Sequence, residues 1–236
     1  IEEGILKNPD VDMVYGLHME ETIDTGTIMV KRDTVNAASN PFKIVVKGKG
    51  AHGAYPAAAV DPIVASSQII MALQTIVSRE INPSNSAVVT VGSIHGGTAS
   101  NIIPDEVEIG GIIRTITKED REHSVKRVKE IAEGIARTLR TECQIAIEES
   151  YPCLINNANL VEMLRENAAK VIGIENVLEQ KNPKMGVESF AYLGCRNIEE
   201  GIIHPAHSSL FDIDEESLPI GIAIGCEFIV DYLTSC

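Results

Sequence analysis

Two histidines, His204 and His207, stand in the stretch GIIHPAHSSLFDIDE, which keeps neither a helical nor a strand period. Histidines in a Pro-bearing loop suit metal ligation or proton transfer, because loops carry function on a rigid scaffold. A metal takes three or four protein donors, so partners must come from elsewhere in the chain. His18, in YGLHM, lies where an apolar run meets Glu20 and Glu21. It is expected at the end of a strand, on the carboxyl edge where α/β sheets bind ligands; a histidine that is only hydrogen-bonded at a strand terminus fits the same pattern. His52, in GKGAHGAYP, is bounded by small residues that let another group approach, or that serve only a turn. Asn101 follows a Gly-rich turn, and Arg114 interrupts the apolar run GGIIRTI. A guanidinium on such a strand must be paired, or must point at an anion such as a carboxylate. His95 and His123 are expected to be solvated.

Elements must position these groups, and apolar periodicity supplies them. VDMVYGLH (11–18) and GTIMVK (26–31) predict short strands joined by a polar turn. FKIVVKG (42–48) predicts a strand, and DPIVASSQIIMALQTIVSRE (61–80) a helix with Asp61 at the N-cap and Pro62 in its first turn. Strands follow at 86–94 and 105–116, then a helix at 118–142 with Val125, Val128, Ala132, Ile135 and Leu139 on one face, then a strand at 143–150. Strand, helix, strand, strand, helix, strand is the order of a ferredoxin-like sandwich, placed at residues 38–150. Because consecutive elements usually neighbour one another, the flanks, 1–37 and 151–236, are expected to be two pieces of one incomplete α/β domain. They supply a helix at 159–172 and another at about 215–234, for which the DIDEE tract would be the first turn.

The 236 residues are 44% apolar, which is enough for a substantial core. A net charge of −14 argues against a nucleic-acid or anionic-membrane surface. Five cysteines without a C-x-x-C pair suggest reduced thiols and a cytoplasmic setting. The apolar run IGIAIGCEFIVDYL is broken by Glu227 and is shorter than the roughly 20 residues a bilayer needs. The chain begins IEEGILKN, without Met, and is expected to be incomplete or processed at that end.

Taken in order, GLHM, GKGAHGAYPAAAVDP, VTVGSIHGGTASNIIPDEVEIGGIIRT, MGVESFAY and HPAHSSLFDIDEESLPIG resemble the dinuclear-metal amidohydrolases of the aminoacylase and carboxypeptidase group, within the hippurate and indoleacetyl-amino-acid hydrolase subgroup. The resemblance implies an α/β catalytic domain that binds two divalent ions, Zn or Mn, with an inserted ferredoxin-like lid that forms a homodimer. It implies that His18 and His207 are metal ligands, with His204 a neighbour. His52 resembles the lid histidine that polarises the scissile carbonyl, often in the partner subunit's site. Asn101 and Arg114 resemble the residues that hold the substrate's backbone and carboxylate. Glu188 falls in the family's G-x-E-D-F position, with its role left open. The family's Cys-Gly-His-Asp segment and its Glu-Glu pair, which supply further ligands and the general base, have no counterpart here, and residue 57 is Ala where many relatives have His. The implied reaction is hydrolysis of an N-acyl amino acid, with this chain inactive by itself. The alternatives are a non-catalytic dimerising or ligand-binding remnant of such an enzyme and, ranked last, a regulatory small-molecule domain.

Overall fold

A computed structural model describes residues 3–186 and 189–235. The chain opens with β1 (Leu17–Asp24), β2 (Ile28–Val30) and β3 (Asp33–Asn36). Its middle carries β4 (Ala38–Lys47), β5 (Ala51–His52), α1 (Pro62–Thr75), β6 (Ala87–Gly96), β7 (Ile102–Ile103), β8 (Glu106–Thr115), α2 (Lys118–Thr138) and β9 (Glu142–Ile147). Its last part carries β10 (Leu154–Asn156), α3 (Ala158–Ile172), β11 (Val177–Glu179), β12 (Ala191–Arg196) and α4 (Ser217–Ser235). Two compact units result: Asn36–Cys153 with Lys184–Gly186, and the remaining residues before and after them.

The inserted unit has the sheet order β6-β8-β4-β9, antiparallel throughout, which is the ferredoxin-like arrangement. Apolar side chains on both helices build its core. Ala65, Ile69 and Leu73 of α1 and Val128 and Ala132 of α2 join Ile44, Val46, Val107, Ile109 and Ile113 of the sheet. Capping fixes where the helices begin. The Asp61 carboxylate accepts from the amides of Ile63 at 2.8 Å and Val64 at 3.3 Å, and Thr117 Oγ1 accepts from Asp120 N at 3.1 Å. The expected helix at 61–80 is α1 followed by a π-turn at Ile76–Glu80. Glu80 closes that turn against α2 by accepting from Arg127 Nε at 2.8 Å and pairing with His123 Nε2 at 2.9 Å, so His123 is not simply solvated. These bonds, Arg127 foremost, hold the Glu80 carboxyl below its usual range. The helix expected to reach residue 142 stops at Thr138, because Arg140 adopts a left-handed φ of 63° and turns the chain into β9.

In the flanking unit the order is β1-β12-β2-β11, with β12 parallel to β1 and antiparallel to β2. Residues Ala191 to Cys195 of β12 are all buried. α3 contributes Val161, Leu164 and Ala168 to the core, and α4 contributes Ile224 and Phe228. Close approach of α4 depends on a missing side chain, since a Cβ at Gly221 would lie 2.7 Å from Leu193 Cδ2. α4 is long and apolar enough by length and composition to cross a membrane, yet Ile224 and Phe228 are fully buried against this core.

Two differences from the sequence reading matter in the flanking unit. The first strand runs over 17–24 rather than 11–18, since its pairing with β12 begins at Leu17 opposite Ala191. The polar stretch MEETID is therefore strand and not turn. The flanks also hold β3, β10, β11 and β12, short segments too brief for a periodicity test, and β12 is buried on every residue but its last.

Glycine chemistry gives a direct check on the inserted sheet. A Cβ at Gly111 on β8 would lie 2.2 Å from Phe42 Cζ and 2.4 Å from Thr90 O, whereas one at Gly134 on α2 meets open space. Gly111→Ala is expected to destabilise by about 1–3 kcal/mol and Gly134→Ala to stabilise by about 0.5–1 kcal/mol. Calorimetric midpoints that move in the opposite order would contradict this packing.

Candidate functional site

His18 is the second residue of β1, not its end, because the strand continues to Asp24. It pairs in register with Tyr192 of β12, their ring centroids 6.2 Å apart. Its Nδ1 lies 2.5 Å from the Met19 carbonyl oxygen. A carbonyl only accepts, so the ring proton sits on Nδ1 and the Nε2 lone pair is left for another group. That is the disposition of a histidine oriented to bind a metal, with a backbone carbonyl fixing the tautomer.

β12 then leads into the loop that carries His204 and His207. Its base is closed by Asp214 N donating to Cys195 O at 3.0 Å and Asn197 Nδ2 donating to Asp214 Oδ2 at 2.8 Å. The Asn197 bond, followed by the Glu216 amide, holds the Asp214 carboxyl below the usual range. The DIDEE tract thus precedes the last helix and closes this loop, since α4 begins at Ser217. Further along, Ala206 N donates to Glu21 Oε1 at 3.2 Å, which ties the loop to the strand that bears His18. His204 is half-buried and His207 exposed, with a left-handed φ of 66°. Burial, and then the Glu21 and Glu20 carboxylates, push the Cys195 thiol up.

Among the described residues no group of three or more His, Cys, Asp or Glu could hold a metal ion. The Nε2 lone pair of His18 fits a divalent ion and the exposed ring of His207 is free to supply a second nitrogen. Two imidazoles would fill only part of a metal's coordination sphere. The sequence reading missed the Met19 carbonyl, Glu21 and Asp214 as supports. Only the acidic pair beside His18 hinted at any of them.

On the inserted unit, β5 and β7 pair His52 with Ile102, and Gly53 N donates to Asn101 O at 2.7 Å. The structure therefore brings His52 and Asn101 together. His52 is exposed, with the Tyr55 ring 5.8 Å away. Its Nδ1 accepts from Ala54 N at 3.1 Å, so the neutral ring keeps its proton on Nε2. This is the opposite tautomer to that of His18, and it offers a donor where His18 offers a lone pair. A groove of about 760 Å³ adjoins His52 and is lined by His95, Gly97, Ile102, Asp105 and Glu108, so His95 faces a cavity.

Arg114 lies in register between Ser39 of β4 and Val88 of β6. Its Nη1 donates to Gly186 O at 3.1 Å and to Tyr151 Oη at 3.3 Å. Both partners are neutral, so among the described residues they aim the guanidinium without cancelling its charge. Glu188, whose role was left open, lies outside the described residues.

The two tautomers are observable. Long-range proton–nitrogen spectra of the neutral rings are expected to show the proton on Nδ1 of His18 and on Nε2 of His52. The reverse assignment at either ring would contradict the hydrogen bonds described.

Residues 38–139 match the peptidase dimerisation domain of the M20 family. The chain is 32% identical to thermostable carboxypeptidase 2 of Saccharolobus solfataricus, a match covering 94% of this chain and 58% of that protein. It is 35% identical to IAA-amino acid hydrolase ILR1-like 2 of Arabidopsis thaliana, covering 98% of this chain and 55% of the relative. With N-acetyl-L-cysteine deacetylase of Bacillus subtilis it shares 38% identity over 92% of this chain and 53% of the relative. The chain thus spans little more than half the length of these curated relatives. Among solved structures, the Bacillus subtilis YXEP protein, a dinuclear metal binding peptidase of the M20 family, superposes with a TM-score of 0.76 at 27% identity, over 100% of this chain and 60% of its own. A protein from methicillin-resistant Staphylococcus aureus, described as a candidate aminohydrolase, superposes with a TM-score of 0.84 at 33% identity, over 98% of this chain and 61% of its own. Residues 38–139 are thus a peptidase dimerisation domain of the M20 family, and the mixed α/β chain that carries it is similar in sequence and fold to a dinuclear metal binding peptidase of that family.

Proposed function

We propose that this chain is the part of a metal-dependent amidohydrolase that binds and orients an N-acyl amino acid for hydrolysis to a carboxylic acid and an amino acid. The observation that carries the reading is the pair of histidines locked in opposite tautomers, His18 with a free lone pair and His52 with a free N–H. The names of the deacetylase and the IAA-amino acid hydrolase support an amide substrate with an amino-acid half. His18 and His207 would hold Zn or Mn, and a divalent metal pair, when bound, supplies Lewis acidity to the water and the amide. The Nε2–H of His52 donates to the carbonyl oxygen as negative charge develops there. Arg114, aimed by neutral partners, takes the substrate carboxylate, and Asn101, beside His52, bonds the substrate backbone. A reduced, cytoplasmic setting fits the cysteine pattern.

The inserted unit also supports a homodimer. β6 is an edge strand with Ile94 exposed, and α1 presents Ile63, Val64 and Met71 to solvent. An unpaired edge and an apolar helix face are what a second copy would cover. The match to a dimerisation domain favours that occupant.

Binding of hippurate tests the substrate reading. Arg114→Ala is expected to weaken hippurate binding about tenfold or more, and hippuramide, which lacks the carboxylate, should bind the unaltered chain no better than hippurate binds the variant. Supplied with Mn, the chain should not hydrolyse hippurate above a His207→Ala control. Equal affinity for hippurate and hippuramide would overturn the assignment.

A further inference from the structure

The turn that presents His207 is held by a bond that the proposed chemistry does not itself require. Ser208 N donates to Pro205 O at 3.1 Å, so residues 205–208 form a β-turn with Ala206 and His207 at its centre. His207 is the second central residue and has φ of 66°, in the left-handed region that such turns normally reserve for glycine or asparagine. A non-glycine residue stays there only where its surroundings determine it. The turn's own bond closes residues 205 and 208 and leaves the Ala206 N–H pointing outward. That N–H meets Glu21 Oε1 at 3.2 Å, across 185 residues of sequence.

We infer that Glu21 is a positioning residue: its carboxylate, fixed on β1 beyond His18, accepts the Ala206 N–H and thereby holds the His204–His207 turn on the strand that carries His18. The inference rests on the reading of His18 and His207 as metal donors only for its purpose, not for its geometry. The loop has two anchors of different kinds. Asn197 and Asp214 close its base, whereas Glu21 reaches the turn itself, next to the strained residue. A carboxylate suits this task because a charged acceptor makes a stronger bond to a backbone N–H than a neutral one does. Without it the turn would keep its base clasp but lose its register against β1. The two imidazoles would then be presented over a wider range of separations, and outer supports of metal ligands typically account for 10–100-fold in affinity.

The test uses the full chain with Glu21→Ala and Glu21→Gln, read by amide hydrogen exchange at Ala206 and at the β12 residues Leu193 and Cys195, and by Zn²⁺ titration. Glu21→Ala should speed exchange at Ala206 about tenfold or more while β12 stays protected. Glu21→Gln, which keeps an acceptor oxygen, should restore much of that protection. Zn²⁺ affinity should fall at least about tenfold in the alanine variant and recover with glutamine. Faster exchange at Ala206 with unchanged Zn²⁺ affinity would uphold the tether and count instead against the metal reading. Unchanged exchange at Ala206 would overturn the inference, as would equal loosening of β12, which would make Glu21 a general support of the fold. If the alanine variant does not fold, Glu21→Leu, which keeps the bulk but has no acceptor, takes its place: faster exchange at Ala206 supports the tether, and unchanged exchange opposes it.

Discussion

The burial of β12 between β1 and β2 is the constraint on which the flanking unit depends. A strand covered on both faces and paired on both edges has one register, since a one-residue slip would move its whole side-chain set to the wrong face. Its pairing sets Tyr192 against His18 and Leu193 against Met19. Its exit at Arg196, braced by Asp24 at 2.7 Å, fixes where the histidine-bearing loop begins. Both halves of the candidate metal edge thus hang from one parallel strand pair. α4 reinforces that pair, because Gly221 lets the helix settle onto Leu193.

The second organising feature is the use of backbone groups to choose histidine tautomers. His18 gives its proton to a carbonyl and His52 takes one from an amide, so neither outcome depends on a titrating neighbour. A single residue type is thereby prepared for two opposite tasks, offering a lone pair in one unit and an N–H in the other. Arg114 follows the same economy: among the described residues its hydrogen-bond partners are a carbonyl and a phenol, which do not cancel its charge.

Much of this was legible in the sequence, and the rest was hidden for physical reasons. The helix at 118 and the cap at Asp61 were visible because amphipathic periodicity and Asp-Pro are local signals. The ferredoxin-like order followed from them. β12 was not visible: AYLGCR is six residues long and buried on nearly all sides, so it shows no alternation. β1 was misplaced because MEETID looks like a polar turn, although Glu20 is 3% exposed. The candidate site residues His18, His52, Asn101, Arg114 and His207 were named from the sequence by residue type and motif. Their supports were not. Glu21 and Ala206 are joined across 185 positions, and no local pattern announces such a bond.

Paramagnetic broadening by Mn²⁺ in proton–nitrogen spectra of the full chain tests the central claim most directly, because it locates even a weak site. The account predicts that substoichiometric Mn²⁺ first broadens amides around His18 and residues 204–208, and that His18→Ala or His207→Ala abolishes that pattern. Broadening that begins instead at Asp105, Glu106 and Glu108 beside His52, with residues 18 and 204–208 unaffected, would contradict it.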